Sequence, residues 1–161
     1  MIREATNDDL AGILRIHNDA VLDTTAIWEE TPRTIDEQRE WCEARRAASL
    51  PVLVAIAGEA VAGFCSYGSF RARYGYRFTV ESSVYVASEH RRKGVARRLM
   101  VALIDRARAQ GLHAMVAGIE AQNTASISLH EQLGFTTAAH LHEVGFKFGR
   151  WLDLVLMERR L

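Results

Sequence analysis

Several features that assign small proteins at a glance are scarce in this sequence. Its 161 residues hold two cysteines, Cys42 and Cys65, and two prolines, Pro32 and Pro51. Two thiols make no disulfide framework, so the core must carry the fold, and a reduced, cytoplasmic compartment is expected. No apolar run approaches the roughly 20 residues that span a bilayer, and Met1-Ile2-Arg3-Glu4-Ala5 lacks the basic-then-apolar layout of a signal peptide. Net charge is missing too: 20 Lys and Arg balance 20 Asp and Glu. No global field therefore draws the protein to nucleic acid or to a membrane. Repeats, low-complexity stretches and linker-like segments are also lacking, and one domain over 1–161 is expected.

What remains is an ordinary globular composition, 48% hydrophobic and 25% charged, sufficient at this length for a core without staples. A short strand at Ile2–Ala5 leads to Thr6, an N-cap with Asp8 and Asp9 in the following turn. Leu10, Ile13, Leu14, His17 and Val21 then recur at helical spacing. A polar-aromatic loop, Asp23 to Glu30, precedes Thr34 and Glu37, a capping box opening a second helix towards Ala48. From Pro51 the texture turns to β: Val52–Ala57 and Ala60–Tyr67 around Gly58-Glu59 read as a hairpin, and Phe78–Val86 as a central strand. Gly94–Gln110 is an amphipathic helix with Val95, Leu99, Ala102, Leu103 and Arg106 on one face. Ala114–Ile119 is a buried strand, and Asn123–Leu133 a helix stopped by Gly134. Strands over His140–Phe146 and Trp151–Glu158 finish the pattern, which reads as an α/β sandwich on one sheet.

The most informative segment runs from Ser83 to Leu99. It passes from a strand through the basic loop Arg91-Arg92-Lys93-Gly94 into a helix. That order gathers unpaired N–H groups and the positive end of a helix dipole at one spot. Gly94 allows close approach of a phosphate, and the guanidiniums add charge. It is no P-loop, because Gly-Lys-Ser/Thr is absent, and one glycine stands where a dinucleotide fingerprint needs three. On its own the segment is either an anion cradle or a solvated basic helix start.

Arg91-Arg92-Lys93-Gly94-Val95-Ala96 also fits the Arg/Gln-x-x-Gly-x-Gly/Ala loop of the GNAT N-acetyltransferases. Asn123-Thr124-Ala125-Ser126, continuing through His130 to Gly134-Phe135, resembles that family's second element, the helix along the pantetheine arm. With two motifs in order, the chain is identified as a member of the superfamily. The resemblance implies an α/β fold with a mixed central sheet splayed at the cofactor site and about four flanking helices. It implies acetyl-CoA as co-substrate and no metal. Arg91, Arg92, Lys93, Gly94, Val95 and Ala96 would grip the diphosphate. Val84, Tyr85 and Val86, leaving the neighbouring strand at a bulge, would bind pantetheine, with one N–H polarising the thioester carbonyl. Asn123 and Ser126 would line the same arm. Glu81, three residues upstream, would be the base. His130 stands where most of the family has a tyrosine, as either a proton donor or a packing residue beside CoA.

Nearly the whole chain resembles the phosphinothricin and methionine sulfoximine/sulfone acetyltransferases. The resemblance is carried by Asn18–Val21 with Thr24–Trp28, Tyr67-Gly68, Thr79–Val86 and Lys147–Leu154. Ile27-Trp28 and Lys147-Phe148-Gly149-Arg150-Trp151 look like the methionine sulfoximine/sulfone branch, since the phosphinothricin enzymes carry histidine at position 148. A small amino-acid-like substrate needs a cation for its carboxylate, for which Arg71 is favoured, with Arg77 second. Trp28 and Tyr76 would wall its side chain. His140 and His142 alternate along a strand without further ligands at zinc-site spacing, so no metal site is expected there. Arg15, Arg45, Arg46, Arg159 and Arg160 read as solvated charge, and Trp41 and Trp151 as core or interface packing. A homodimer is implied. The rival readings are acetylation of a protein N-terminus, polyamine or aminoglycoside, a silent CoA-binding protein, and a nucleic-acid module using Arg91–Arg98.

Overall fold

Alternation along the middle strands decides how the layers stack. In the computed structural model, which describes residues 1–161, the strands are β1 Ile2–Glu4, β2 Val52–Ala57, β3 Ala60–Ser69, β4 Thr79–Val86, β5 Ala114–Glu120, β6 Thr136–Lys147 and β7 Arg150–Arg160. The helices are α1 Leu10–Asp23, α2 Ile35–Ala47, α3 Val95–Ala109 and α4 Thr124–Gln132. Leu53 and Cys65 point to one face, where they join Leu99, Leu103, Met115 and Phe135 in the larger core. Val52, Val54 and Phe64 point to the other, against Ile13, Ile16 and Trp41. Two apolar faces per strand require helices on both sides.

The sheet has seven strands in the order β1-β2-β3-β4-β5-β7-β6. Every pair is antiparallel except β4–β5, which is parallel. That pair holds register only from Thr79 opposite Ala114 to Ser82 opposite Ala117. Beyond it, β4 keeps its ladder with β3 as far as Val86 opposite Gly63, and β5 keeps its ladder with β7 as far as Glu120 opposite Leu154. The inner edges of Ser83–Val86 and Gly118–Glu120 therefore face a gap. The expected splay is present, but the expected bulge is not, because the β3–β4 ladder runs without a register shift. Each strand simply follows its outer partner, and the twist between them opens the wedge.

Local signals explain most boundaries. Thr34 Oγ1 accepts the Glu37 N–H while the Glu37 carboxylate accepts the Thr34 N–H, so the predicted capping box opens α2. Gly134 adopts φ +80° after α4, as its place past the helix end demands. The apolar face of α3 is Val95, Leu99, Met100, Leu103, Ile104 and Ala107. Arg106 is not on it and instead pairs with Glu4 at 2.6 Å. Strand β6 begins at Thr136, four residues before its expected start. Thr136–Ala139 lacks the large apolar alternation that marks a strand, and pairing with β7 alone recruits it.

Candidate active site

The wedge between β4 and β5 is the mouth of a cavity of about 390 Å³. β4 contributes Glu81 to Tyr85, β5 contributes Ala117 to Glu120, and α4 contributes Asn123, Ser126 and His130. Ala26, Arg45, Gly68 and Ser69 complete the lining. Of the residues expected from sequence, Glu81, Val84, Tyr85, Asn123, Ser126 and His130 meet here. Asn123 caps α4: its side-chain oxygen accepts the Ser126 N–H at 3.2 Å, which leaves its amide NH₂ free to donate.

Beside this cavity α3 begins. No main-chain N–H from Arg92 through Arg97 donates to another protein group; the next, Arg98 N–H, bonds the Gly94 carbonyl at 3.1 Å. Arg92 and Gly94 both have positive φ, 59° and 72°. A turn of that kind aims successive N–H groups into one concavity, and the α3 dipole adds to their field. Arg91, Lys93 and Arg98 are tied to main-chain carbonyls of Val86, Glu89 and Lys93, which holds the basic side chains around the turn. A six-amide concavity with no protein acceptor fits a diphosphate, and the open edge of Ser83–Val86 fits an extended amide chain leading from it.

Glu81 sits near the end of the parallel pair, opposite Val116, and its carboxylate reaches along β5 to Gly118. A Cβ on Gly118 would lie 3.1 Å from Glu81 Oε1, so glycine there gives the carboxylate its room. Glu81 is an exposed residue of β4, yet the cleft walls take enough water from its carboxylate to raise the pKa, and the charge of Arg71 partly opposes that rise. A carboxyl shifted this way accepts protons more readily near neutrality. Tyr85, four residues on and facing the same side, is pushed up to about 12 by burial and stays protonated.

His130 is 3% exposed, and its ring meets Phe135 edge-on at 5.0 Å. Its Nδ1 lies 2.8 Å from the Ser126 carbonyl. A carbonyl only accepts, so Nδ1 carries the proton. Burial lowers the pKa and favours the neutral ring, whose Nε2 then has no proton to give.

The substrate residues expected from sequence are spread wider. Arg71 lies over Phe70 at 5.0 Å, within electrostatic reach of Glu81. Tyr76 lines an adjoining groove of about 330 Å³ with Phe70, Thr79 and Val116. Arg77 is stacked on Tyr74 and Phe78 at 4.1 and 4.5 Å and reaches neither cavity. Trp28 packs on Gly145, where a Cβ would come within 2.3 Å of its ring. The main cavity's contact with that loop is Ala26 instead.

Three residues that shape the candidate site were given no such place from sequence. Arg45, expected as solvated charge, is half-buried, donates to the Tyr67 carbonyl and lines the cavity. Gly68 lacks the side chain that would displace it. Its signal was the helical spacing to Trp41, over which its guanidinium lies at 4.9 Å. Glu120 is 7% exposed and lies on the cavity wall, accepting from Thr25 Oγ1 and the Gln122 N–H. Lys147 is 1% exposed, and its ammonium donates to the carbonyls of Val21, Thr24 and Ile27 at 2.5, 2.7 and 2.6 Å. All three ammonium protons are used, one on the end of α1 and two on the 24–28 loop, which ties that loop down beside the cleft. Arg159 likewise is not free: it bonds the Leu133 carbonyl at the end of α4.

Comparison with known proteins agrees with this geometry. Residues 2–156 match the family described as Acetyltransferase (GNAT) domain. The chain is 54% identical, over 99% of its length and 94% of the relative's, to L-methionine sulfoximine/L-methionine sulfone acetyltransferase of Pseudomonas paraeruginosa. It is 40% identical to phosphinothricin N-acetyltransferase of Alcaligenes faecalis, over 99% of this chain and 82% of that one. An acetyltransferase of Salmonella typhimurium, solved with acetyl-CoA, superposes with a TM-score of 0.98 at 50% identity, covering 100% of this chain and 93% of that one. The chain belongs to the GNAT acetyltransferase family and is an acetyl-CoA-dependent N-acetyltransferase.

Proposed function

We propose that this N-acetyltransferase acts on the α-amine of small amino-acid analogues of the methionine sulfoximine and methionine sulfone type, with phosphinothricin a poorer substrate. The observation that carries the reading is Glu81, a carboxylate that lines the cavity near the end of the parallel pair, beside Gly118, with a raised pKa and Arg71 within electrostatic reach. The 54% identity to an enzyme named for those substrates supports the choice. So does Phe148, where the phosphinothricin branch has histidine.

Acetyl-CoA supplies an acetyl group activated as a thioester. The amides of Arg92–Arg97, with Arg91 and Lys93 around them, hold its diphosphate. The free edge of Val84–Val86 and the Asn123 amide bind the pantetheine arm, Ser126 lines it, and one β4 N–H donates to the thioester oxygen as charge develops there. Arg71 binds the substrate carboxylate, while Phe70 and Tyr76 wall its side chain. Glu81 takes the proton from the ammonium group so that the nitrogen lone pair is free to attack. His130 packs beside the arm and offers Nε2 as an acceptor. It is not the acid in this reading: as the C–S bond breaks, the second proton, shed by the acylated nitrogen, passes through solvent to the departing thiolate. Arg77 has no part.

One acetyltransferase domain occupies the chain, the enzyme works in the cytoplasm, and two copies pair through the β6–β7 hairpin. That pairing accounts for the exposed Val144, Phe146, Phe148 and Trp151. No helix is long and apolar enough to cross a membrane. The test is thiol release with methionine sulfoximine, methionine sulfone, phosphinothricin, a polyamine and an alanine-initiated peptide in parallel. The first two are expected to give the highest kcat/KM. Preference for the peptide or the polyamine would sink the substrate assignment, and no release with any amine would leave only a CoA binder.

A further inference from the structure

Three groups outside the cleft converge on one point of the β6–β7 hairpin. His140 and His142 alternate on β6, and β7 brings Asp153 across to them, which no spacing along the chain announces. His140 Nε2 lies 2.8 Å and His142 Nδ1 3.1 Å from the same oxygen, Asp153 Oδ2. All three donor atoms fall within 4.8 Å of one another. The two rings stand nearly parallel, 25° apart, with centroids 4.4 Å from each other. We propose that His140, His142 and Asp153 form a surface site for a divalent transition metal of the zinc type, separate from the acetyl-transfer site.

Zinc binds imidazole nitrogen and carboxylate oxygen at about 2.0–2.1 Å, which at tetrahedral angles puts neighbouring donor atoms about 3.3 Å apart. The distances from the imidazole nitrogens to the carboxylate oxygen are within a few tenths of an ångström of that. The carboxylate is already oriented. The register shift between Leu141 and Gly145 makes a bulge with Glu143 at φ 52°, and the Glu143 N–H donates to Asp153 Oδ1 at 2.9 Å. With Oδ1 so engaged, Oδ2 points between the rings, the outer-shell arrangement that metal carboxylates use. His142 has 75% of its side chain exposed, so an ion has an open path and a fourth position for water. Two imidazoles and one carboxylate select zinc, cobalt or nickel over magnesium and calcium, which want oxygen ligands.

The site lies on the opposite face of the sheet from Glu81. Asp153 alternates with Leu154, whose side chain lies beside Gly118 on the Glu81 face. Asp153 still touches the cleft's scaffold through its carbonyl, which accepts the Ala121 N–H at 3.0 Å just before Asn123. The ion is therefore structural, pinning the bulge of β6 to β7 beside the turn that leads into α4.

Calorimetric titration of the full chain with Zn²⁺ should find one ion per chain, and Zn²⁺ should raise Tm. Co²⁺ should give the intense visible bands of a low-coordinate nitrogen-containing site. His142→Ala alters an exposed side chain, so its fold is secure, and it should weaken Zn²⁺ binding at least about tenfold and abolish the Tm rise. His140→Ala should do the same. Absence of Zn²⁺ binding, equal binding in both variants, or equally tight Mg²⁺ binding would overturn the proposal. Acetyl transfer should be unchanged by a chelator, and its loss would refute the separation from the catalytic site.

Discussion

The two halves of the cleft are built differently. The cradle at the start of α3 is main chain: consecutive amides from Arg92 to Arg97, shaped by two positive-φ residues and one helix end. The half around Glu81 is side chain, lined by Ala26, Arg45, Glu81 and Glu120 from four separate segments, with Arg71 within electrostatic reach. A main-chain cradle tolerates side-chain change and is sensitive to backbone conformation. A side-chain pocket behaves the other way. In the proposed reading, binding of the common donor and choice of the acceptor are thus under separate control.

That contrast sets what each substitution should do. Glu81→Gln is expected to have the largest effect, lowering kcat by about 10²- to 10⁴-fold while leaving acetyl-CoA affinity, measured by calorimetry, near wild type. In the wild type the acid limb of kcat/KM should lie above the ordinary glutamate range, because the Glu81 pKa is raised. Equal loss of acetyl-CoA binding would erase the division between the halves. Lys147→Met removes three hydrogen bonds to main-chain carbonyls and should cost about 2–4 kcal/mol in denaturant unfolding. In the surviving enzyme it should raise KM for the amine and spare KM for acetyl-CoA.

Gly94→Ala probes the cradle from the other side. Holding φ near +72° with a Cβ costs about 1–2 kcal/mol, so KM for acetyl-CoA should rise roughly tenfold with KM for the amine unmoved. Arg71→Gln should raise KM for the amino acid by about tenfold. It also removes the positive charge that favours ionised Glu81, so the Glu81 pKa rises further and the acid limb of the pH profile moves to higher pH. An unmoved limb would separate Arg71 from the base. His130→Gln should have the smallest effect, under about tenfold in kcat, since the resting ring has no proton on Nε2. A larger loss would restore the imidazole as the acid.

Legibility in the sequence followed the same division. The cradle could be read from Arg91 to Ala96 because strand, basic turn, glycine and helix are contiguous. Glu81 and Asn123 were likewise carried by motifs that lie within single elements. Arg45 could not be found that way. Its place depends on Gly68 of β3 leaving space for a guanidinium from α2, and on the Tyr67 carbonyl 22 residues along the chain. Trp28 looked like a pocket wall because it is an aromatic in a polar loop. Gly145, far along the chain, is what draws it aside.

By itself the sequence determined the layered α/β fold, the helix caps and the strand–basic turn–helix order proposed to hold the diphosphate, since each depends on residues within a few positions of one another. Only the tertiary structure decided which cations and carboxylates share the acceptor side, which proton His130 holds, and that Asp153 closes on His140 and His142. Those outcomes depend on strand register and on the burial of one segment by another, and neither quantity is written in any local stretch of chain.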